Sequence, residues 1–381
     1  MPPLRENQIH MATFVRARLS SAARTLAGPY YTSPEVFVEE RARIFSREWI
    51  CVGREEQLAG PGSFFVAEIA GESLIVVRDS AGSIHAHFNV CRHRGTRLCE
   101  LPSGKFTGAI VCPYHAWTYG LDGALMTARN MRDVPEFDER EYPLRGAAVA
   151  RWAGFIFINL AESPEPFERA LAPLISRFDR WNISNLRQAA RIDYDLACNW
   201  KLVLQNYSEC YHCPLVHPQL DRVSPWDSGR NDLGEGPVLG GYMTLRQGNT
   251  SLTLSGHTPR PILPGLDADD RDRVYYYEVF PSMLLSLHPD YVMAHYISAV
   301  DVARTRITCV WLFNPHEMAR AGFDATDAVE FWDMTNRQDW HMCELSQLGV
   351  RSRAYTPGPY AHAESIVHAF DTHYLRTMER L

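Results

Sequence analysis

The chain has 381 residues, 46% of them hydrophobic and 22% charged, with 38 Lys and Arg against 45 Asp and Glu for a formal charge of −7. That length suggests about two domains, each able to bury a core, and the acidic balance offers no basic face for a nucleic acid. No run approaches the ~18 apolar residues of a membrane span.

The amino-terminal stretch scatters Arg5, Glu6, Arg16 and Arg18 ahead of Leu19. It lacks the apolar segment and cleavage site of a signal peptide, so a cytoplasmic chain is expected. Nine cysteines, an odd number, argue for reduced thiols or metal ligands and against a disulfide framework. In chain order, residues 1–45 read as a helical segment that packs on the second domain and delivers Phe45 and Trp49. Residues 46–160 read as an all-β domain: 64–69 and 73–77 form a hairpin closed near Gly71, continued by 84–90, 109–112, 117–119 and 154–160. Past Pro164 the pattern turns helical around 167–178, then gives a strand at 191–196 and a helix from about Trp200. Residues 225–270 read mostly as loop. Two runs, 274–286 and 291–302, read as neighbouring strands, followed by a strand at 306–313 and a long helix over 325–348. Residues 161–381 are therefore expected to be α+β, an antiparallel sheet backed by helices.

Two segments carry chemistry. In the first, Cys91-Arg-His93 and Cys112-Pro-Tyr-His115 place two thiolates and two imidazoles on two short loops. That is a four-ligand metal set, for which a structural zinc competes. In the second, Glu209, His212 and His217 lie within nine residues. Glu209 and His212, three apart, would share a helix face. His212 and His217, five apart, could chelate one ion only if Pro214 broke the helix and let His217 swing back. Two histidines then need a carboxylate to make the facial triad of non-haem Fe(II) oxygenases; spacing alone leaves both Asp333 and Asp339 open.

The segments Asn89-Val-Cys-Arg-His-Arg-Gly95 and Cys112-Pro-Tyr-His-Ala-Trp117 closely resemble the two loops of Rieske iron–sulfur domains. Similarity to the α subunits of Rieske non-haem iron oxygenases runs nearly the full chain. The resemblance implies an α+β, helix-grip catalytic domain beside an all-β Rieske domain. It implies a [2Fe–2S] cluster with one iron on Cys91 and Cys112 and the other on His93 and His115, an arrangement that raises the reduction potential. Cys99, inside the same loop, reads as packing. The resemblance also implies a mononuclear Fe(II) on His212, His217 and Asp339, chosen because Glu344-Leu-Ser-Gln347 follows it, with Asp333 second. Glu209 would bridge the two metal centres across the interface of a head-to-tail homotrimer. The chemistry implied is reductive O2 activation, with electrons from NAD(P)H arriving through a separate flavin and iron–sulfur reductase; no dinucleotide fingerprint occurs in this chain.

The segments around 209–218, 335–347 and 352–360 resemble the branch acting on quaternary ammonium compounds, such as glycine betaine and stachydrine demethylases. N-methyl hydroxylation with release of formaldehyde is then expected. A quaternary nitrogen offers no N–H, so aromatic faces and carboxylates must hold it; Tyr207, Tyr211, Trp226, Tyr275, Tyr276, Tyr277 and Tyr296 are aromatic candidates, and Arg222, Arg230, Arg246 and Arg260 are candidates for a substrate carboxylate. The rival readings are an aromatic ring hydroxylase or O-demethylase of an aromatic acid and, more remotely, a non-catalytic Rieske electron carrier.

Overall fold

The computed structural model describes residues 19–379, Ser21 excepted. The helical expectation for residues 1–18 lies outside the described residues. Residues 22–28 are not helical, and Arg24 instead bridges to Pro359. Helix begins at Pro29–Thr32 and Pro34–Glu40, the latter capped by the Ser33 side chain on the Val36 amide, and runs into a π-helical turn at Arg41–Phe45.

Strands β1 (Ile50–Arg54), β2 (Ser63–Ile69), β3 (Glu72–Arg78), β4 (Ile84–Phe88) and β5 (Ser103–Lys105) form a seven-stranded antiparallel sheet with two later ones. The β2–β3 hairpin turns at Ala70-Gly71, both at positive φ, and the Arg41 guanidinium donates to the Ala70 carbonyl. The helical entry segment thus clamps the hairpin tip. Strands β6 (Ala109–Val111), β7 (Thr118–Gly120) and β8 (Leu125–Thr127) do not continue that sheet as expected; they make a separate three-stranded one. The Cys91–His93 loop lies between β4 and β5 of the larger sheet, and the Cys112–His115 loop joins β6 to β7 of the small one. Strands β9 (Gly146–Trp152) and β10 (Phe155–Asn159) return to the larger sheet, giving the order β1-β10-β9-β4-β3-β2-β5.

The segment 167–178, expected to be helical, is a single turn at Phe167–Ala170 followed by tighter turns, because Pro173 interrupts the amide ladder. Strands β11 (Arg187–Leu196), β12 (Arg230–Leu233), β13 (Val238–Thr244), β14 (Arg273–Val279), β15 (Met283–Leu287), β16 (Val292–Asp301) and β17 (Arg304–Phe313) form the second seven-stranded sheet, ordered β11-β17-β16-β15-β14-β13-β12. Two corrections follow. The region read as loop contributes β12 and β13, and the run 274–286 is two strands folded back at Phe280–Ser282. Gly240 and Gly241 hid β13: a Cβ on Gly240 would meet the Tyr276 carbonyl and one on Gly241 the Arg230 carbonyl, so glycine here permits close strand approach.

Alternation sorts the side chains. In β10, Phe155 and Phe157 enter one core while Ile156 and Ile158 enter another, so the strand is buried on both faces. In β14, Tyr275 and Tyr277 pack with Trp181 and Phe178, whereas Tyr276 and Glu278 face the helices Trp200–Tyr207 and Thr326–Val350. The helix-facing side is covered in turn by Ser365–Glu379.

A buried ion pair ties the entry segment to this layer. Glu40 and Lys201 are both fully buried; Glu40 Oε1 accepts from Lys201 Nζ and from the Tyr374 hydroxyl (2.7 Å), and Oε2 from Trp200 Nε1 (2.9 Å). Burial pulls the Lys201 ammonium below its usual range and Glu40 opposes that pull. Removing one partner strands the other charge. Lys201→Met is expected to lower stability by about 3–5 kcal/mol, read as a fall in thermal midpoint, and adding Glu40→Gln is expected to recover much of it. Equal losses in the single and double variants would show that the pair is not coupled.

Candidate metal centres and substrate cavity

The two Cys–His loops, one from each sheet of the amino-terminal half, close in the same way. Cys91 donates its amide to the Thr96 carbonyl and accepts from the Gly95 amide; Cys112 donates to Trp117 and accepts from Ala116. Each turn ends in a left-handed residue, Gly95 at φ +75° and Ala116 at φ +58°. The thiols of Cys91 and Cys112 are buried neighbours, and the Tyr119 hydroxyl lies 3.2 Å from Cys91 Sγ. His93 and His115 stand outward, His93 exposed, their ring centroids 4.8 Å apart, with His93 stacked on Trp117. Burial pushes the Cys91 thiol up, while loss of hydration and the neighbouring His115 and Arg94 pull His93 down and keep its imidazole neutral. Inward sulfur and outward neutral nitrogen suit a cluster with two unlike irons. Cys99 is buried and takes no part; the Asn89 side chain pins its amide and carbonyl.

The second group forms differently from expectation. The helix Trp200–Tyr207 ends before Glu209, so Glu209 and His212 share no helix face. Pro214 breaks nothing: it sits in the first turn of the next helix, Cys213–Val216, where its missing N–H costs little. His217 is the junction between that helix and Pro218–Val223. Contrary to the expectation of reduced thiols, Cys210 and Cys213 are joined in a disulfide that brackets His212; the other cysteines are free.

The turn brings the two imidazoles together. His212 Nε2 lies 3.2 Å from His217 Nε2 and 3.2 Å from Asp339 Oδ1, and His217 Nε2 lies 2.7 Å from Asp339 Oδ1. The other ring nitrogens are occupied: His212 Nδ1 is 2.5 Å from Glu209 Oε1, and His217 Nδ1 is 2.7 Å from Gln338 Oε1. With the Nδ1 protons given to those acceptors, both Nε2 lone pairs point at the carboxylate, an arrangement that suits a cation. Burial opposes charge on His212, but hydrogen bonds that Asp339 and Glu209 accept from it push it up to about 10; burial would raise Asp339, but the two imidazoles bring it down to about 2. A divalent metal would displace a proton from this group. The donor set of two imidazoles and one carboxylate fits Fe(II) with open positions. Asp333 is not part of this group: six residues back along the helix it faces Tyr194 and Arg337.

A cavity opens on the triad. Tyr207, Tyr211, Trp226 and Tyr276 line it, as does Arg230; Tyr275 and Tyr277 pack on the opposite face of the sheet. Tyr296 lines a different recess, and Arg260 is held by Asp290 and Asp327. Arg222 and Arg246 are also absent from the lining. Sequence reasoning missed Gln338, Trp332, Thr335 and Glu278. Trp332, Thr335 and Asp339 have i, i+3, i+7 spacing, a helical signal available once Asp339 is taken as a ligand. Glu278 in an apolar strand, two residues from Tyr276, was an equally legible sign. Gln338 had no such signal.

Residues 48–138 match the family described as Rieske [2Fe-2S] domain, and residues 183–380 that described as Ring hydroxylating alpha subunit (catalytic domain). The chain is 31% identical to the glycine betaine monooxygenase oxygenase subunit of Pseudomonas aeruginosa, covering 94% of this chain and 89% of that protein. It is 37% identical to the carnitine monooxygenase oxygenase subunit of Escherichia coli K12, covering 87% and 86%. Among solved structures, the quaternary ammonium Rieske monooxygenase CntA bound to an inhibitor superposes with a TM-score of 0.80 at 26% identity, over 94% of this chain and 96% of that one. Membership carries a Rieske [2Fe–2S] cluster, a mononuclear iron and O2 as co-substrate. No helix among the described residues is long and apolar enough to cross a membrane. On a shared two-part architecture and similarity along nearly its whole length, the chain belongs to the Rieske non-haem iron oxygenases, as an α subunit.

Proposed function

We propose that this oxygenase N-demethylates a betaine-type quaternary ammonium compound. The observation that carries the reading is the aromatic wall of the cavity: Tyr207 and Tyr276 meet edge to face at 6.0 Å and Tyr276 and Trp332 at 6.3 Å, in the recess that His212 and Asp339 also line. Such faces attract a permanently charged nitrogen that cannot donate a hydrogen bond. The Tyr207 hydroxyl is tied to Leu285 and Ser286 and the Trp332 indole N–H to Tyr291, so packed partners fix both rings. Arg230, on the same cavity, is the partner for a substrate carboxylate. Relatives named for glycine betaine and carnitine support this reading.

In this reading Cys91, His93, Cys112 and His115 hold the cluster, and His212, His217 and Asp339 hold the iron. The two metal centres supply electron storage and O2 activation. Gln338 and Glu209 orient the iron histidines, the aromatic wall holds the N-methyl carbon toward the triad, and closed packing behind it limits water. One oxygen atom enters a methyl C–H bond and the other leaves as water, using two electrons and two protons; the N-hydroxymethyl product then collapses to formaldehyde, a tertiary amine and a proton. The electrons come from a separate NAD(P)H-dependent reductase. The proposed assembly is a head-to-tail homotrimer in the cytoplasm, divided near residues 45 and 160, with Glu209 linking the iron site to a neighbouring subunit's cluster.

Single turnovers of the reduced enzyme with O2 on betaines, choline, carnitine and simple aromatic acids test the function. Formaldehyde from a betaine is expected; product from an aromatic acid alone would move the chain to ring oxidation. For the ligands, Asp339→Ala and His212→Ala are expected to keep the cluster's electron paramagnetic resonance signal while losing mononuclear iron and at least about 100-fold in turnover. Cys91→Ala should lose the cluster, and Asp333→Ala should retain iron. Iron lost from Asp333→Ala and kept by Asp339→Ala would reverse the assignment. Glu209→Gln is expected to load both centres yet pass electrons from cluster to iron at least about tenfold more slowly in stopped flow; an unchanged rate would remove the bridge.

A further inference from the structure

The cavity contains a buried acid that none of the roles above uses. Glu278 sits on β14, on the same face as Tyr276, and is 1% exposed. Its Oε2 accepts from the Ser208 hydroxyl at 2.7 Å, and its Oε1 has no hydrogen-bond partner. Among the described residues no Lys, Arg or His pairs with it. Three other buried carboxylates have cationic partners: Glu40 has Lys201, Asp270 has Arg180 and Asp290 has Arg260; Asp371 lacks one but has both oxygens occupied, accepting from Gln205 and from the Tyr360 hydroxyl. A buried carboxyl without a counter-charge is stable only in neutral form. Burial, with Asp371 adding to it against the Ser208 hydrogen bond, accordingly pushes Glu278 up to about 8.

The position has a use if the missing cation arrives with the substrate. We infer that Glu278 is the counter-charge for the substrate's quaternary nitrogen, and that it selects a cation over a neutral isostere of the same shape. The inference rests on the betaine reading and deepens it. Tyr207, Tyr276 and Trp332 supply π faces, which any bulky trimethyl group could touch; the carboxylate supplies the discrimination, since its ionised form gains only when a positive charge lies against it. Hydrogen bonding from Ser208 fixes one oxygen and leaves the other available. The polarity also opposes an aromatic acid seated with its carboxylate in this part of the cavity, because two like charges would then share one desolvated space.

The test uses holoenzyme with both metal centres, titrated anaerobically in a calorimeter with glycine betaine and with 3,3-dimethylbutanoate, in which carbon replaces nitrogen and the positive charge is lost. Wild-type enzyme is expected to bind the betaine at least about tenfold more tightly, and Glu278→Gln, which keeps the shape and can still meet Ser208, to lose roughly 10–100-fold for the betaine with much less change for the isostere. In turnover the loss should fall mainly on KM for the betaine. If the Gln variant does not load its irons, Glu278→Asp decides: a charge set back by one methylene should still favour the betaine, more weakly than wild type. Full discrimination in Glu278→Gln, or none in Glu278→Asp, with formaldehyde still formed by wild type, overturns the role of Glu278 alone. A wild-type enzyme that forms no formaldehyde from any betaine and oxidises an aromatic acid overturns the function and this inference together.

Discussion

Three electron-rich atoms, two imidazole nitrogens and a carboxylate oxygen, are held within 3.2 Å of one another in the interior. Such a group is stable only with a positive charge among its members, supplied by a proton or by a metal. Much of the catalytic half serves to impose that convergence. The imidazoles come from the two ends of the short helix Cys213–Val216, and the carboxylate from the middle of a 25-residue helix packed on the far side of the cavity. Glu209 and Gln338 occupy the outer ring nitrogens, so rotating either imidazole would break a hydrogen bond as well as a ligand geometry.

Sheet alternation then divides the labour. On β14, Tyr275 and Tyr277 fill the core against the segment that links the two sheets, while Tyr276 and Glu278 face the cavity. One strand therefore builds both the wall that joins the two halves and the floor on which a substrate would rest. Buried charge recurs as a positioning device. The Glu40–Lys201 pair fixes the entry segment to the helix that leads to Glu209, and Arg41 fixes the same segment to the β2–β3 turn. The segment that carries Glu209 and His212 is thus braced from the amino-terminal side by contacts that never touch it.

The two ligand loops were the most legible part of the chain because their chemistry is local. A Cys-x-His and a Cys-x-x-His each close over five residues, and the backbone geometry found for both needs little beyond a left-handed residue at Gly95 or Ala116. His212 and His217 were legible for the same reason, although the route between them was misread: the helix stops at Tyr207, and Pro214 starts a new one. Strand β13 reads as loop because Gly240 and Gly241, needed for close strand contact, carry the composition of one, and β12, Arg-Asn-Asp-Leu, is short and polar.

Residue types and short spacings by themselves determined the thiol and imidazole pairs, the neighbouring His212 and His217 and the α+β order of elements, since each depends on interactions among neighbours in sequence. They left Asp333 and Asp339 equivalent. Only the packed helix separates the two, placing one against Tyr194 and the other against the histidines, because six residues of helix turn a side chain well away from the first direction. The same holds for Tyr276 against its neighbours and for Glu278, whose lack of a partner is a property of what surrounds it. Chemistry that needs groups from distant elements is decided by tertiary packing, where burial sets both which atoms meet and what charge they can carry.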